Sequence, residues 1–109
     1  MLYKNEIVQN DIKEILGDGN ISWEKLKNSS VLITGATGML ARYITYLFIY
    51  MNERMNYNIK IYILVRNKEK AIGDFGEYIR LDYMELINQD ICDKLYLNDN
   101  VDYIIHAAG

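Results

Sequence analysis

The fold of this chain is decided by residues 30–41, which read SVLITGATGMLA. The run Val31-Leu32-Ile33 is apolar without polar alternation, a pattern typical of a strand that is buried on both faces. Gly35 ends the strand, and an apolar helix is predicted to follow from Gly38. A strand, a glycine turn and a buried helix in this order open a βαβ unit, so the sequence predicts an α/β fold.

The same alternation continues towards the carboxyl end of the chain. β-Branched and apolar runs predict the strands, and apolar residues at three- and four-residue spacing predict the helices. The predicted strands are 30–34, 60–65, 86–89 and 101–107, and the predicted helices are 38–52, 68–79 and 91–97. Alternation of this kind implies a parallel sheet with right-handed crossovers and helices on both faces. We expect about four strands in the order 3-2-1-4.

Residues 1–29 are predicted to form a short helical extension ahead of the sheet-forming residues 30–109. Apolar residues recur at helical spacing between residues 7 and 16, with Asn10 or Asp11 as the capping residue and Gly17 as the stop. Ser22 is expected to cap one further short turn. The extension carries no recognisable chemistry, so we expect it to serve packing.

Composition excludes several kinds of partner. Twelve Lys and Arg against fifteen Asp and Glu give a net charge of -3, without the basic stripe that binds nucleic acid. The longest apolar stretch, residues 43–51, is far shorter than the roughly 20 residues of a membrane helix. Cys92 has no second cysteine to pair with, which favours a reducing compartment and hence the cytoplasm. We therefore expect neither nucleic acid nor a membrane as partner.

The glycine turn is the strongest chemical signal. Gly35 permits a tight turn after the strand, Gly38 lets the backbone approach a pyrophosphate, and Ala41 keeps the helix close to the sheet. The helix then presents unpaired N–H groups and a partial positive charge to an anion. The alternative interpretation is a glycine turn without a ligand. The predicted binding residues of the turn are Gly35, Thr37, Gly38, Met39 and Leu40.

The pattern Thr-Gly-x-x-Gly-x-x-Ala at residues 34–41 resembles the glycine motif of the extended short-chain dehydrogenases/reductases. These are the NAD-dependent epimerases and dehydratases that act on nucleotide sugars. Further matches follow in the order of the family, namely Val65-Arg66-Asn67, Asp90-Ile91 and His106-Ala107-Ala108-Gly109. Classical members space their glycines as Thr-Gly-x-x-x-Gly-x-Gly, which this chain does not. The resemblance covers residues from about 30 to 109 and implies a Rossmann-type domain.

The resemblance also implies contacts with the coenzyme from the later motifs. Asp90 would hydrogen-bond the adenine amino group with the Ile91 backbone nearby, and Ala107 and Ala108 would line the ribose and pyrophosphate. Asp90 can also be the N-cap of the following helix, and one residue can do both. His106 is the sole histidine. At the end of a buried strand it fits packing or the wall of the coenzyme site better than catalysis.

Arg66 and Asn67 occupy the place where the family usually has an acidic residue that binds the ribose 2′-OH of NAD. An Arg there offers donors to a 2′-phosphate or stacks on the adenine, which is compatible with NADP. The alternative is a solvated Arg beside Lys68 and Lys70. The epimerases and dehydratases of this family generally retain NAD, so NAD is the first expectation and NADP the second.

No catalytic or metal-binding residue is predicted. The family removes and returns a proton through a Tyr-x-x-x-Lys pair on a later helix, and this chain has ten Tyr but no such pair. We therefore expect residues 1–109 to be the N-terminal part of a nucleotide-sugar epimerase, dehydratase or decarboxylase, inactive alone. A homodimer of that parent protein is compatible with this interpretation. The alternative is a non-catalytic dinucleotide-binding or redox-sensing module.

Overall fold

A computed structural model of the chain describes residues 2–17, 19, 22–35, 38–88 and 101–106. Its sheet consists of four parallel strands, β1 (Ser30–Thr34), β2 (Lys60–Val65), β3 (Met84–Asn88) and β4 (Tyr103–His106), in the order β3-β2-β1-β4. Three α-helices accompany it, α1 (Glu6–Leu16), α2 (Met39–Met55) and α3 (Lys68–Phe75). The predicted α/β fold and the strand order 3-2-1-4 are confirmed, and the arrangement is Rossmann-like. The predicted helix 91–97 lies outside the described residues.

The central strands are apolar on both faces because both faces of the sheet are buried. Val31 and Ile33 point to one face, where residues of α1, α2 and α3 join them in the main apolar cluster. Leu32 points to the other face and packs with Tyr62 and Leu64 in a second cluster. This alternation explains why β1 and β2 read as continuous apolar runs, and the predicted bounds of both strands are confirmed.

The amino-terminal segment packs against the same core. Val8 and Ile12 of α1 are buried in the main cluster. The predicted caps of this helix, Asn10 and Asp11, are wrong. The helix begins earlier, because Asn5 has an extended backbone and its Oδ1 accepts the N–H of Ile7 at 2.9 Å.

The short turn after the extension is also capped differently from the prediction. A 3-10 helix spans Trp23–Leu26, and Ser22 precedes it as predicted. However, the Ser22 side chain makes no capping hydrogen bond. With φ at -87° and ψ at 72°, its backbone is not in the extended conformation typical of a capping residue, so only its carbonyl accepts from the Lys25 N–H.

Several element bounds differ from the prediction, including the start of β4 at Tyr103 in place of residue 101. The α2 helix continues beyond residue 52 to Met55, where Asn56 adopts a left-handed conformation with φ at 56°. The α3 helix ends at Phe75, since Gly76 also has φ at 56° and leads into the 3-10 helix Gly76–Arg80. Strand β3 begins at Met84, where it pairs with β2. None of the described helices is both long and apolar enough to cross a membrane.

Asn52 anchors α2 to the start of β2. Its side-chain Nδ2 donates to the Ile59 carbonyl at 2.9 Å, and its Oδ1 accepts the Ile59 N–H at 2.7 Å. Both residues are buried. The side-chain amide thus satisfies a buried peptide group that lies just before the parallel pairing of β2 begins.

A ring cluster joins the two helices that follow β1 and β2. The Tyr46 ring of α2 meets the Phe75 ring of α3 edge-on, with 5.7 Å between the centroids. The Tyr46 hydroxyl donates to the Asp74 carbonyl at 2.8 Å, and burial raises the pKa of Tyr46 to about 12. Arg42 forms an ion pair with the Asp74 carboxylate at 3.3 Å. These contacts hold the first half of α2 against the end of α3.

Candidate functional site

The carboxyl ends of three strands lie at one edge of the sheet. In the register of the sheet, Thr34 at the end of β1 stands beside Leu64 of β2 on one side and His106 of β4 on the other. The chain runs outward from β1 to β2 and β3 and then returns to the opposite side of β1 as β4. Such a reversal of strand order is where open α/β sheets generally bind ligands, beyond the carboxyl ends of the strands.

The glycine turn begins at this edge, directly after β1. Gly35 has φ at 69°, a left-handed conformation that favours glycine, as its predicted place in a tight turn requires. Its carbonyl accepts the Gly38 N–H at 2.9 Å, which closes the turn. This bond holds Gly38, where the helix begins, next to the residue that follows β1. Thr37, also predicted to bind, lies outside the described residues.

Gly38, unlike Gly35, has backbone angles that do not call for glycine. Its φ of -72° and ψ of 159° are open to any residue. A Cβ atom built on Gly38 would lie 3.3 Å from the Gly35 carbonyl oxygen, a tight contact that needs a shift of a few tenths of an ångström. The absence of a side chain is therefore the relevant property of Gly38, rather than its backbone angles.

The α2 helix starts without a side-chain cap. Gly38 is its N-cap residue and has no side chain to accept the first N–H groups of the helix. Met39 and Leu40, in the first turn, are exposed. Ala41 is buried in the main cluster, so the predicted close packing of the helix on the sheet is confirmed. An exposed, uncapped helix N-terminus carries unsatisfied donors and a partial positive charge.

Arg66 and Asn67 lie at the same edge, after β2. The Asn67 Oδ1 accepts the N–H of Lys70 at 3.0 Å, so this side chain is the N-cap of α3. Arg66 is exposed, and its guanidinium forms no ion pair with any residue that the structure describes. The two predicted site residues therefore differ in their contacts, since the Asn67 side chain caps α3 whereas the Arg66 guanidinium has no ion-pair partner among the described residues.

Four more predicted site residues lie outside the described residues and stay predictions. They are Asp90, Ile91, Ala107 and Ala108. The described strand β4 ends immediately before Ala107, at His106.

A contact between Thr34 and His106 was missed by sequence reasoning. The Thr34 Oγ1 and the His106 Nδ1 are 2.8 Å apart, with Thr34 buried and the His106 ring exposed. One signal in the sequence could have indicated this contact. Both residues lie at the ends of predicted strands, and the predicted strand order makes these two strands neighbours. The register, which decides whether two such residues stand side by side, is a property of the assembled sheet.

Neither a scan against protein-family models nor a search of curated proteins found a match for this chain. The resemblance to the epimerases and dehydratases therefore depends on the motif residues and their order. What the described residues establish is a Rossmann-like sheet with a glycine turn and an uncapped helix at its switch point.

Proposed function

We propose that the glycine turn and the N-terminus of α2 bind the pyrophosphate of a dinucleotide. NAD is the first candidate and NADP the second. In this proposal the chain is the NAD(P)-binding part of a nucleotide-sugar epimerase, dehydratase or decarboxylase. The observation that carries it is the turn itself, in which a left-handed Gly35 leads to a helix whose N-cap is Gly38.

The donor set fits a pyrophosphate. The N-cap residue Gly38 supplies no side-chain acceptor to the first N–H groups of α2, and the helix starts at the edge of the sheet where three strands end. Gly38 leaves the approach to these donors free of a Cβ atom. A dianionic ligand gains from both the donors and the helix dipole. The exposed Met39 and Leu40 side chains cover no part of the core, which is compatible with contact to a ligand.

Arg66 is the residue that would distinguish the two coenzymes. It follows β2, where dinucleotide-binding sheets hold the adenosine ribose. Its exposed guanidinium suits a 2′-phosphate or the face of the adenine. Asn67 acts indirectly, because its side chain caps α3 and so holds the loop that carries Arg66.

When bound, the nicotinamide would supply hydride transfer to and from the sugar. The residues described here bind and orient the coenzyme. Proton transfer needs a general acid/base group, and the resemblance places the Tyr-x-x-x-Lys pair outside residues 1–109. The proposal therefore assigns binding, and no catalytic step, to this chain.

The direct test is an NMR titration of the ¹⁵N-labelled chain with NAD. We expect the amide signals of Gly35, Gly38, Met39 and Leu40 to move, because the ligand oxygens accept from the turn and the helix. Amides of residues 56–58, which join the end of α2 to the start of β2 at the opposite edge of the sheet, serve as internal controls. An absence of shifts at millimolar NAD, or shifts confined to residues 56–58, would contradict the proposal.

Replacement of Arg66 by Asp is expected to weaken NADP binding by about 10- to 100-fold. The change removes one charge-assisted hydrogen bond to the 2′-phosphate, worth about 1.5 to 3 kcal/mol, and adds repulsion. NAD lacks this phosphate, so its affinity should stay within about twofold. Calorimetric titration of both coenzymes measures the difference.

The matched control for this charge change is Arg54→Asp. Arg54 is exposed near the end of the 17-residue α2 helix, so it lies about 25 Å from the helix N-terminus. Its replacement should leave the preference between the coenzymes unchanged. If Arg66→Asp weakens NAD and NADP equally, Arg66 does not bind the 2′-phosphate.

A further inference from the structure

We propose that His106 binds the dinucleotide directly, through a hydrogen bond from its ring Nε2 to a ribose or phosphate oxygen. The proposal rests on the proposed function. It gives His106 a binding role instead of the packing or wall role expected from the sequence, and it assigns no catalytic step.

The first argument is position. His106 is the last residue of β4, and in the sheet register it stands beside Thr34, the residue immediately before Gly35. It therefore lies next to the start of the glycine turn, on the side of β1 where the strand order reverses. A ligand that extends from the turn across this switch point passes the end of β4.

The second argument is the state of the ring. Nδ1 is 2.8 Å from the Thr34 hydroxyl, whereas Nε2 has no hydrogen-bond partner among the residues that the structure describes. The ring is exposed, while Thr34 is buried at 4% exposure and cannot turn freely. Thr34 therefore holds one ring nitrogen and leaves the other directed away from it.

The third argument is the chemistry of the imidazole. When the Thr34 hydroxyl donates to Nδ1, the neutral ring carries its proton on Nε2 and becomes a donor there. Ribose hydroxyls and phosphate oxygens accept such a bond. In that tautomer the ring presents a donor to a ligand rich in oxygen acceptors, while the Thr34 hydroxyl holds Nδ1.

Two variants distinguish a ligand contact of His106 Nε2 from a purely structural contact of His106 Nδ1 with Thr34. In His106→Asn, the amide takes the place of Nδ1 and keeps the contact with Thr34, but nothing reaches the position of Nε2. In His106→Gln, the longer amide reaches the position of Nε2 and gives up the bond to Thr34. We expect His106→Asn to weaken NAD by about three- to tenfold, as for loss of one hydrogen bond, at an unchanged thermal midpoint. We expect His106→Gln to bind within about twofold of the wild type, at a lower midpoint.

A second measurement uses the fact that His106 is the sole histidine. Its two ring nitrogens give one pair of NMR signals, which report the tautomer without further assignment. We expect the Nε2 signal to move on addition of NAD, while the Nδ1 signal stays close to its free position. If wild-type protein fails to bind NAD, the proposed function is wrong and this inference with it. If the wild type binds, an unmoved Nε2 signal or unchanged affinity of His106→Asn overturns the role of His106 alone.

Discussion

Replacement of Asn52 by Leu is expected to lower the free energy of unfolding by about 3 kcal/mol. The buried Asn52 amide satisfies both the N–H and the C=O of Ile59. Leu has a similar size but no polar atoms, so both peptide groups would remain buried without partners. Each unsatisfied group costs about 1 to 3 kcal/mol, and the apolar side chain offsets part of the loss.

Urea unfolding followed by circular dichroism measures this effect. The control is Asn10→Leu, the same chemical change at an exposed position of α1. It should alter stability by no more than about 0.5 kcal/mol, as is usual for surface substitutions. Similar losses in both variants would mean that the bonds of Asn52 to Ile59 do not stabilise the fold. A loss of 3 kcal/mol is large beside the total stability of about 5 to 15 kcal/mol for a domain.

Replacement of Gly38 by Val is expected to reduce the affinity for NAD at least about tenfold, equivalent to about 1.4 kcal/mol. The branched side chain would stand between the pyrophosphate and the N–H groups of α2. The backbone angles of Gly38 are open to Val, and the contact of its Cβ with the Gly35 carbonyl needs only a small shift. The variant should therefore fold, and the loss should appear in binding.

The control for this substitution is Gly73→Val in α3. A Cβ at Gly73 meets no atom within 4 Å, so the same change is harmless there. Calorimetric titration with NAD compares both variants with the wild type, and thermal melts establish that all three are folded. Equal NAD affinity in Gly38→Val and the wild type would mean that the pyrophosphate does not bind at the glycine turn.

The strands at the centre of the sheet were predictable because their signal is local. Both faces of β1 and β2 are buried, so their interior positions are apolar, whereas the polar Ser30, Thr34 and Lys60 stand at strand ends. The parallel sheet followed from the alternation of strands and helices, and the strand order is that of the Rossmann-type domain which the motif resemblance implies. The glycine turn was predictable for the same reason, since a left-handed residue between a strand and a helix favours Gly35.

The side-chain contacts between elements of the fold were decided by tertiary structure. The bond of Thr34 to His106 depends on the register of β1 against β4, and the bonds of Asn52 to Ile59 depend on the course of the chain after α2. Asn67, predicted as a binding residue, has a side chain that caps α3, and its binding role stays a prediction. A side chain with one set of donors and acceptors can serve a helix end, a neighbouring strand or a ligand. The sequence determines which groups it carries, whereas only the assembled sheet brings one partner within hydrogen-bonding distance.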